Sequence, residues 1–431
     1  MKSKPITTLY TSESSLKKSK SPYGIGTIVN HIGEHGHHLR AHVMPIYQTT
    51  TFGFDDVASA IDTFSYKDSE SYVYTRGRNP NSIHLAKKLS YLEGLDLINA
   101  QPDKNPEELV DAYVTASGMG AITAAILSRL QNGDSALVQT GIYGGTHKFW
   151  LELAPRFGIT ANFVSSYDPE DWQNALDENP GVKVIYIESP SNPTMQLHDI
   201  AALAELAHAN NAWLIVDNTF ATPYHQRPLT LGADLVVHSS TKYLGGHGVT
   251  TGGIVVSRHA DFVNFFGDLG QLASELGSTP SPQDSWMINL GLKTLEIRMQ
   301  RHSSNAMAIA EHLSSHKKVS QVYYPGLASN EHHELAKQQM SNGFGGLVSF
   351  EVKGGLDAAH KVLDALAIPA IAISLGSTDS LIQTPASMTH RSMSQTDRDA
   401  AGISDGLIRF SVGIENIEDL LADLDQALAA I

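Results

Sequence analysis

From Ala112 onward, short apolar and β-branched runs alternate with longer stretches of helical period. The runs are Tyr113-Val-Thr, Ser135-Ala-Leu-Val, Val182-Lys-Val-Ile-Tyr-Ile, Trp213-Leu-Ile-Val-Asp, Asp234-Leu-Val-Val-His and Gly253-Ile-Val-Val-Ser. Short apolar strands separated by helices predict a largely parallel sheet covered on both faces. Between two of them, Ile200 to Ala209 sets Ala201, Leu203, Ala204 and Leu206 in an apolar helical stripe. Later, Leu347-Val-Ser-Phe-Glu-Val, Ala370-Ile-Ala-Ile-Ser and Leu407-Ile-Arg-Phe-Ser-Val read as strands, and Ile417 to Ala429 as an amphipathic helix. The last third therefore predicts a smaller α+β domain. The expected division is an N-terminal segment over 1–72 that contacts a neighbouring subunit, a large domain over 73–290 and a C-terminal domain over 291–431.

Three stretches stand outside this alternation. The first twenty or so residues carry Lys, Ser and Thr without an apolar period and predict an arm, mobile or draped on a partner. Leu95 to Asp111, with Gln101-Pro-Asp-Lys-Asn-Pro-Glu-Glu, predicts a surface loop. Asn30-His-Ile-Gly-Glu-His-Gly-His-His38 raises the question of a metal. Its glycines supply no rigid frame for ligands, which favours a solvated loop.

Composition narrows the function classes. The chain has 431 residues and a formal net charge of −15, a sign that repels nucleic-acid phosphates and anionic lipid, so neither nucleic acid nor membrane is an expected partner. With no cysteine, it cannot form disulfides, thiolate zinc sites, iron–sulfur clusters or a cysteine nucleophile. No apolar run approaches the roughly 18 residues of a membrane span, and Met1-Lys-Ser-Lys-Pro-Ile-Thr-Thr-Leu lacks a signal-peptide core. The expected location is cytoplasmic.

Chemistry concentrates in His238-Ser-Ser-Thr-Lys242-Tyr-Leu-Gly-Gly-His, directly after an apolar run. A lysine at the end of a buried strand is desolvated, which lowers its pKa and makes the amine a nucleophile toward carbonyls. Asp217 closes the run Trp213-Leu-Ile-Val-Asp. An aspartate at such a strand end can pair with a protonated pyridine nitrogen, and Lys plus Asp in this arrangement marks pyridoxal phosphate sites. Each alone has an ordinary reading, Lys242 as a loop lysine and Asp217 as a turn former; their joint placement reverses it. Ser117-Gly-Met-Gly opens a helix carrying Ile122, Ala125 and Ile126. A Ser N-cap with Gly118 and Met119 offering backbone N–H groups is an anion cup for the phosphate.

On these residues the chain resembles the Cys/Met-metabolism pyridoxal-phosphate enzymes of fold type I, a group that includes cystathionine γ-synthases, cystathionine γ- and β-lyases, methionine γ-lyases and O-acylhomoserine sulfhydrylases. The likeness runs from Pro45-Ile-Tyr-Gln-Thr-Thr-Thr-Phe to Arg409-Phe-Ser-Val-Gly-Ile-Glu. It implies an aspartate-aminotransferase-like α/β fold, with a mostly parallel seven-stranded sheet and a smaller α+β domain. It implies pyridoxal 5′-phosphate carried on Lys242, its ring nitrogen on Asp217, and its phosphate on Gly118, Met119, Ser239 and Thr241. Tyr143, in Ile-Tyr-Gly-Gly-Thr, would stack on the ring and act as acid or base, and Asn192, in Glu-Ser-Pro-Ser-Asn-Pro, would bond the ring hydroxyl. Tyr74 and Arg76, in Tyr-Thr-Arg-Gly-Arg-Asn-Pro, would reach the phosphate of a neighbouring subunit, making a homo-oligomer of shared sites, a dimer or a tetramer of paired dimers. Arg409 would clamp the α-carboxylate of a small amino-acid substrate, helped by Ser374. An arginine within Leu407-Ile-Arg-Phe-Ser-Val is costly to bury without such a task.

Departures from the family pattern refine the activity. Gly145 stands where methionine γ-lyases carry cysteine, Leu290-Gly-Leu-Lys-Thr-Leu replaces an Arg-initiated segment, and Pro102 to Glu108 lengthens a connection. Residue 373 is Ile where cystathionine-handling members place Glu. An apolar wall there disfavours a substrate with a charged distal end. The expected activity is γ-elimination from a methionine-like or related Cγ-substituted amino acid. The alternatives are γ-substitution by a cystathionine γ-synthase or sulfhydrylase, a canavanine-like Cγ–O lyase, and a catalytically silent binding homologue.

Overall fold

The computed structural model describes residues 23–34, 37–65, 71–391 and 393–431. Its larger sheet has seven strands: β1 (Asp111–Thr115), β2 (Ser135–Gln139), β3 (Thr160–Val164), β4 (Val184–Glu188), β5 (Trp213–Asp217), β6 (Leu235–His238) and β7 (Gly253–Ser257). Their order is β1-β7-β6-β5-β4-β2-β3, with β7 antiparallel to both neighbours and the remaining pairs parallel. The expected mostly parallel seven-stranded sheet is present. Successive residues of the central strands enter cores on opposite faces. Leu214 and Val216 join one with Ile185 and Val236, while Ile215 joins the other with Val184, Tyr186 and Val237. Burial on both sides is why these strands read as unbroken apolar runs. Truncating Ile215 to Ala would cost about 2–5 kcal/mol.

A second sheet is built from β8 (Val319–Tyr323), β9 (Leu347–Val352), β10 (Ala370–Ile371), β11 (Leu381–Gln383) and β12 (Leu407–Ser411), in the order β10-β11-β12-β9-β8. Its core joins Phe350, Ile408 and Phe410 to Leu420 and Leu424 of the helix Ile417–Leu428. The chain is thus α/β with a smaller mixed sheet.

Several local expectations are corrected. Strands β3 and β8 lie at sheet edges and are only partly buried, so neither shows an apolar run. Only Ala370–Ile371 of the expected strand Ala370 to Ser374 pairs, because the following residues turn toward the site. The segment Leu95 to Asp111 contains helices Leu95–Ala100 and Pro106–Leu109 before joining β1. The second is nucleated by Asn105, whose side chain accepts from the Glu107 amide, and by Pro106 at the first turn.

The histidine-rich stretch is not a solvated loop throughout. His31 ends the helix Ile25–His31, and Glu34 and His37 are buried. Glu34 accepts from Lys88 at 2.7 Å and from Lys293 at 2.8 Å. Although burial opposes its charge, these cations hold the Glu34 carboxyl down at about 2. Among the described residues no cluster of His, Cys, Asp or Glu could hold a metal ion. The expected N-terminal arm lies outside the described residues. No helix among them is long and apolar enough to cross a membrane.

Candidate active site

The carboxyl ends of β4, β5 and β6 present Glu188, Asp217 and His238-Ser239 side by side, with Glu188 in register with Asp217 and Asp217 with Val237. In open α/β sheets this edge is where ligands bind. Here the edge opens into a cavity of about 240 Å³. Gly118, Met119, Tyr143, Asn192, Asp217, Ser239, Thr241, Lys242, Ile373 and Arg409 line it together, although they span nearly 300 positions of sequence.

Lys242 sits four residues beyond β6, and its Nζ donates to Ser374 Oγ at 3.0 Å. Burial, reinforced by the Arg409 charge, lowers the amine to about 8. Asp217 Oδ1 accepts from the Thr219 amide at 2.9 Å, and Thr219 Oγ1 accepts from the Ser239 amide at 2.9 Å, so one residue ties the aspartate to the next strand's end. Burial pushes the Asp217 carboxyl above the usual range.

The helix Gly118–Leu127 starts at the cavity. Ser117 Oγ accepts from Gly120 N at 3.1 Å, and the first amides of a helix have no intrahelical acceptor. Thr241 Oγ1 is partly committed elsewhere: it donates to Gly252 O at 3.2 Å and accepts from Gly252 N at 3.0 Å.

Arg409 enters from β12 and is 2% exposed. Its Nη1 donates to Asn192 Oδ1 at 3.1 Å, and its Nη2 to Ile373 O at 3.0 Å and Ser374 O at 2.9 Å. Gln383 stands opposite it in register, and with its amide oxygen turned to the guanidinium it accepts from Nε at 3.1 Å. All these partners are neutral oxygens. Burial lowers the guanidinium to about 10, and its charge remains available to an incoming anion.

Tyr74 and Arg76 do not join this group within the chain. They line a different cavity, with Phe265 and Phe266, where Arg76 Nη1 pairs with Glu275 at 3.1 Å. The cavity also contains Glu188, Thr219, Phe220 and Thr389, which the sequence reading did not single out. Glu188 had a detectable signal, since it closes the apolar run Val184–Ile187 just as Asp217 closes its own. Thr219 and Thr389 had none, being small polar loop residues.

A family model described as "Cys/Met metabolism PLP-dependent enzyme" matches residues 26–429. The chain belongs to this family. It is 43% identical over 412 residues to an L-methionine gamma-lyase of Fusobacterium nucleatum subsp. polymorphum, covering 95% of this chain and 99% of the relative. To an O-succinylhomoserine sulfhydrylase of Pseudomonas aeruginosa it is 41% identical over 399 residues, covering 93% and 92%. The solved cystathionine gamma synthase of Xanthomonas oryzae pv. oryzae, in complex with cystathionine, superposes with a TM-score of 0.85 at 38% identity, covering 95% of this chain and 99% of that one.

The family's cofactor fits the cavity on this chain's own terms. A Cβ on Gly118 would meet Ser239 Cβ at 2.7 Å and its Oγ at 2.8 Å, so only glycine lets the helix start close on Ser239 around a phosphate-sized anion. Opposite stand an amine of lowered pKa and a strand-end carboxyl, the donor set that a pyridine aldehyde requires.

Proposed function

We propose that this enzyme catalyses γ-elimination from a methionine-like amino acid, converting it with one water into a thiol, a 2-keto acid and ammonia. One observation carries the reading. Ile373 is 65% exposed and faces the cavity together with Phe220 and Leu375, while the cavity's carboxyls, Glu188 and Asp217, stand at the strand ends. Asp379, the nearest acid in sequence, accepts from Ser377 Oγ and does not line the cavity. A distal ammonium would meet an apolar wall without a counter-ion, whereas a thioether tail would not. The methionine gamma-lyase relative supports the same choice.

Lys242 would hold pyridoxal phosphate, with Gly118, Met119 and Ser239 on its phosphate, Asp217 at its ring nitrogen, and Tyr143 and Asn192 beside the ring. When bound, that group supplies an electron sink for the charge released at Cα. Arg409 grips the substrate carboxylate bidentately and fixes which Cα bond faces Lys242. Lys242 Nζ takes the Cα proton; an amine near 8 is neutral in part at ordinary pH, as one near 10.5 is not. Tyr143 gives a proton to the departing sulfur. Tyr74 and Arg76 serve the site of an adjacent copy, in a dimer or a pair of dimers.

Gly145 favours a second reading, γ-substitution on an O-acyl-homoserine. A Cβ there would meet Tyr143 Cε1 at 2.5 Å, so the ring occupies the place where methionine γ-lyases carry a cysteine. Steady-state comparison decides between them. If kcat/KM for cystathionine cleavage, or for thioether formation from an O-acyl-homoserine plus cysteine, exceeds that for methionine-like elimination by more than about tenfold, the first reading fails.

A further inference from the structure

We propose that Glu188 is a positioning residue of this site: held as a neutral acid, it fixes the loops that carry Tyr143 and Asn192 and leaves Asp217 as the single anion of the two neighbouring carboxyls. The inference rests on the pyridoxal phosphate site and not on the choice of substrate.

Glu188 is 5% exposed, at the end of β4. Its Oε1 accepts from the Tyr143 amide at 2.8 Å, and the carboxyl also takes the Asn192 amide. Its own amide donates to Gln139 Oε1 at 2.8 Å, and Gln139 Nε2 donates to Gly141 O at 2.7 Å. One carboxyl thus anchors both loops that border the ring position. Tyr143 has need of such an anchor. It is 46% exposed and precedes the five-residue helix Gly144–Lys148 without a side-chain cap, so packing alone does not hold its ring.

The neighbours decide the charge. Adjacent strands run about 5 Å apart, and Glu188 and Asp217 are register partners. Two carboxyls so placed in a desolvated site do not both ionise. Asp217 has the Thr219 amide and the positive influence of His238 in its favour. The other titratable groups facing Glu188 are Tyr186 of its own strand, Tyr143, and Tyr167 behind Gln139. None is a cation; the cations that line the same cavity, Lys242 and Arg409, bond Ser374 Oγ and Asn192 Oδ1, and Arg409 also acts on Tyr143 through its charge. Burial, first, and the Asp217 charge push the Glu188 carboxyl well up, outweighing the Tyr143 and Asn192 amides, which favour its ionised form.

The test titrates apoenzyme with pyridoxal phosphate, reading the dissociation constant from tryptophan fluorescence, and follows the visible absorbance of substrate-free holoenzyme against pH. E188A removes the anchor, E188Q keeps an acceptor oxygen that cannot ionise, and E188M, of similar size without an acceptor, replaces E188A if that variant does not fold. The expected result is affinity about tenfold weaker in E188A or E188M, and recovery to within about threefold of wild type in E188Q. The absorbance midpoint of E188Q should stay within about 0.2 pH of wild type, because no charge has been removed. A downward shift of about 0.5 pH or more in E188Q, or an affinity in E188Q as poor as in E188A, overturns the neutral acid. Unchanged cofactor affinity in E188A or E188M, even with a lower melting temperature, overturns the positioning role.

Discussion

Asn192 Oδ1 accepts a hydrogen bond from Arg409 Nη1 at 3.1 Å, across 217 positions of sequence. The contact joins the loop after β4 in the larger sheet to β12 in the smaller one. The residue proposed to border the cofactor ring therefore also aims the residue proposed to hold the substrate carboxylate. Arg409→Lys should raise KM for the amino acid by about a hundredfold with a smaller change in kcat, since one ammonium cannot reproduce the bonds to Asn192, Ile373 O and Ser374 O together. Asn192→Ala should raise KM about tenfold and weaken pyridoxal phosphate binding as well. Steady-state kinetics and a cofactor titration check both; a KM effect without a cofactor effect would mean that Asn192 serves Arg409 alone.

Lys242→Ala should lose the visible absorbance of the bound cofactor and nearly all turnover. The motivating observation is the half-buried amine bonded to Ser374 Oγ and depressed to about 8. Asp217→Ala should retain a coloured protein but slow exchange of the substrate's α-proton by about a hundredfold or more, for want of a counter-charge at the ring nitrogen. Proton exchange at the wild-type rate in that variant would remove Asp217 from the role.

Arg76 pairs with Glu275 on the surface, with side chains 47% and 77% exposed. Such a pair is worth about 0–1 kcal/mol and leaves the guanidinium free to be redirected. Mixing Arg76→Ala chains with Lys242→Ala chains should restore activity that neither homo-oligomer has, because one composite site regains both residues. Verified subunit exchange with no recovered turnover would place Arg76 in its own chain's function.

Acid should destabilise the fold at a pH where carboxylates in the ordinary range are still ionised. Burial lowers His84, His225, His302 and His390 from 6.5 to about 4, and His198 to about 3. Between those values and 6.5 the unfolded chain binds protons that the folded one refuses, so the stability is present above 6.5 and is lost as pH falls toward 4. Each histidine contributes on the order of 1–3 kcal/mol. Melting temperature measured from pH 7 to pH 5 should fall steadily, and His302→Gln should flatten the slope. A melting temperature flat over that interval would show that these rings protonate in the folded state.

The repeating chemistry of the backbone made much of this protein legible in one dimension. Strands buried on both faces must be apolar throughout, so β4, β5, β6 and β7 announce themselves, and a Lys or Asp that ends such a run stands out because nothing local explains it. The same logic, applied once more to Glu188 at the end of β4, finds a second carboxyl beside Asp217. Edge strands β3 and β8 carry no such constraint and were invisible. Short caps such as Asn105-Pro106 were read as loop because local turn chemistry and a four-residue helix use the same residues.

What the sequence by itself determined, then, is the identity of the reactive groups and the strands that end in them: Lys242, Asp217, the Gly118 helix start and the arginine in β12. Tertiary structure alone decided their company. Only folding brings Asn192 to Arg409, Ser374 to Lys242 and Glu188 to Tyr143, since hydrogen bonds spanning 217, 132 and 45 positions follow from sheet order and register rather than from spacing along the chain. Protonation belongs to the same category: the fall of Lys242 to about 8 and the rise of Glu188 arise from burial and neighbouring charge, which exist only once the two sheets have closed around the cavity.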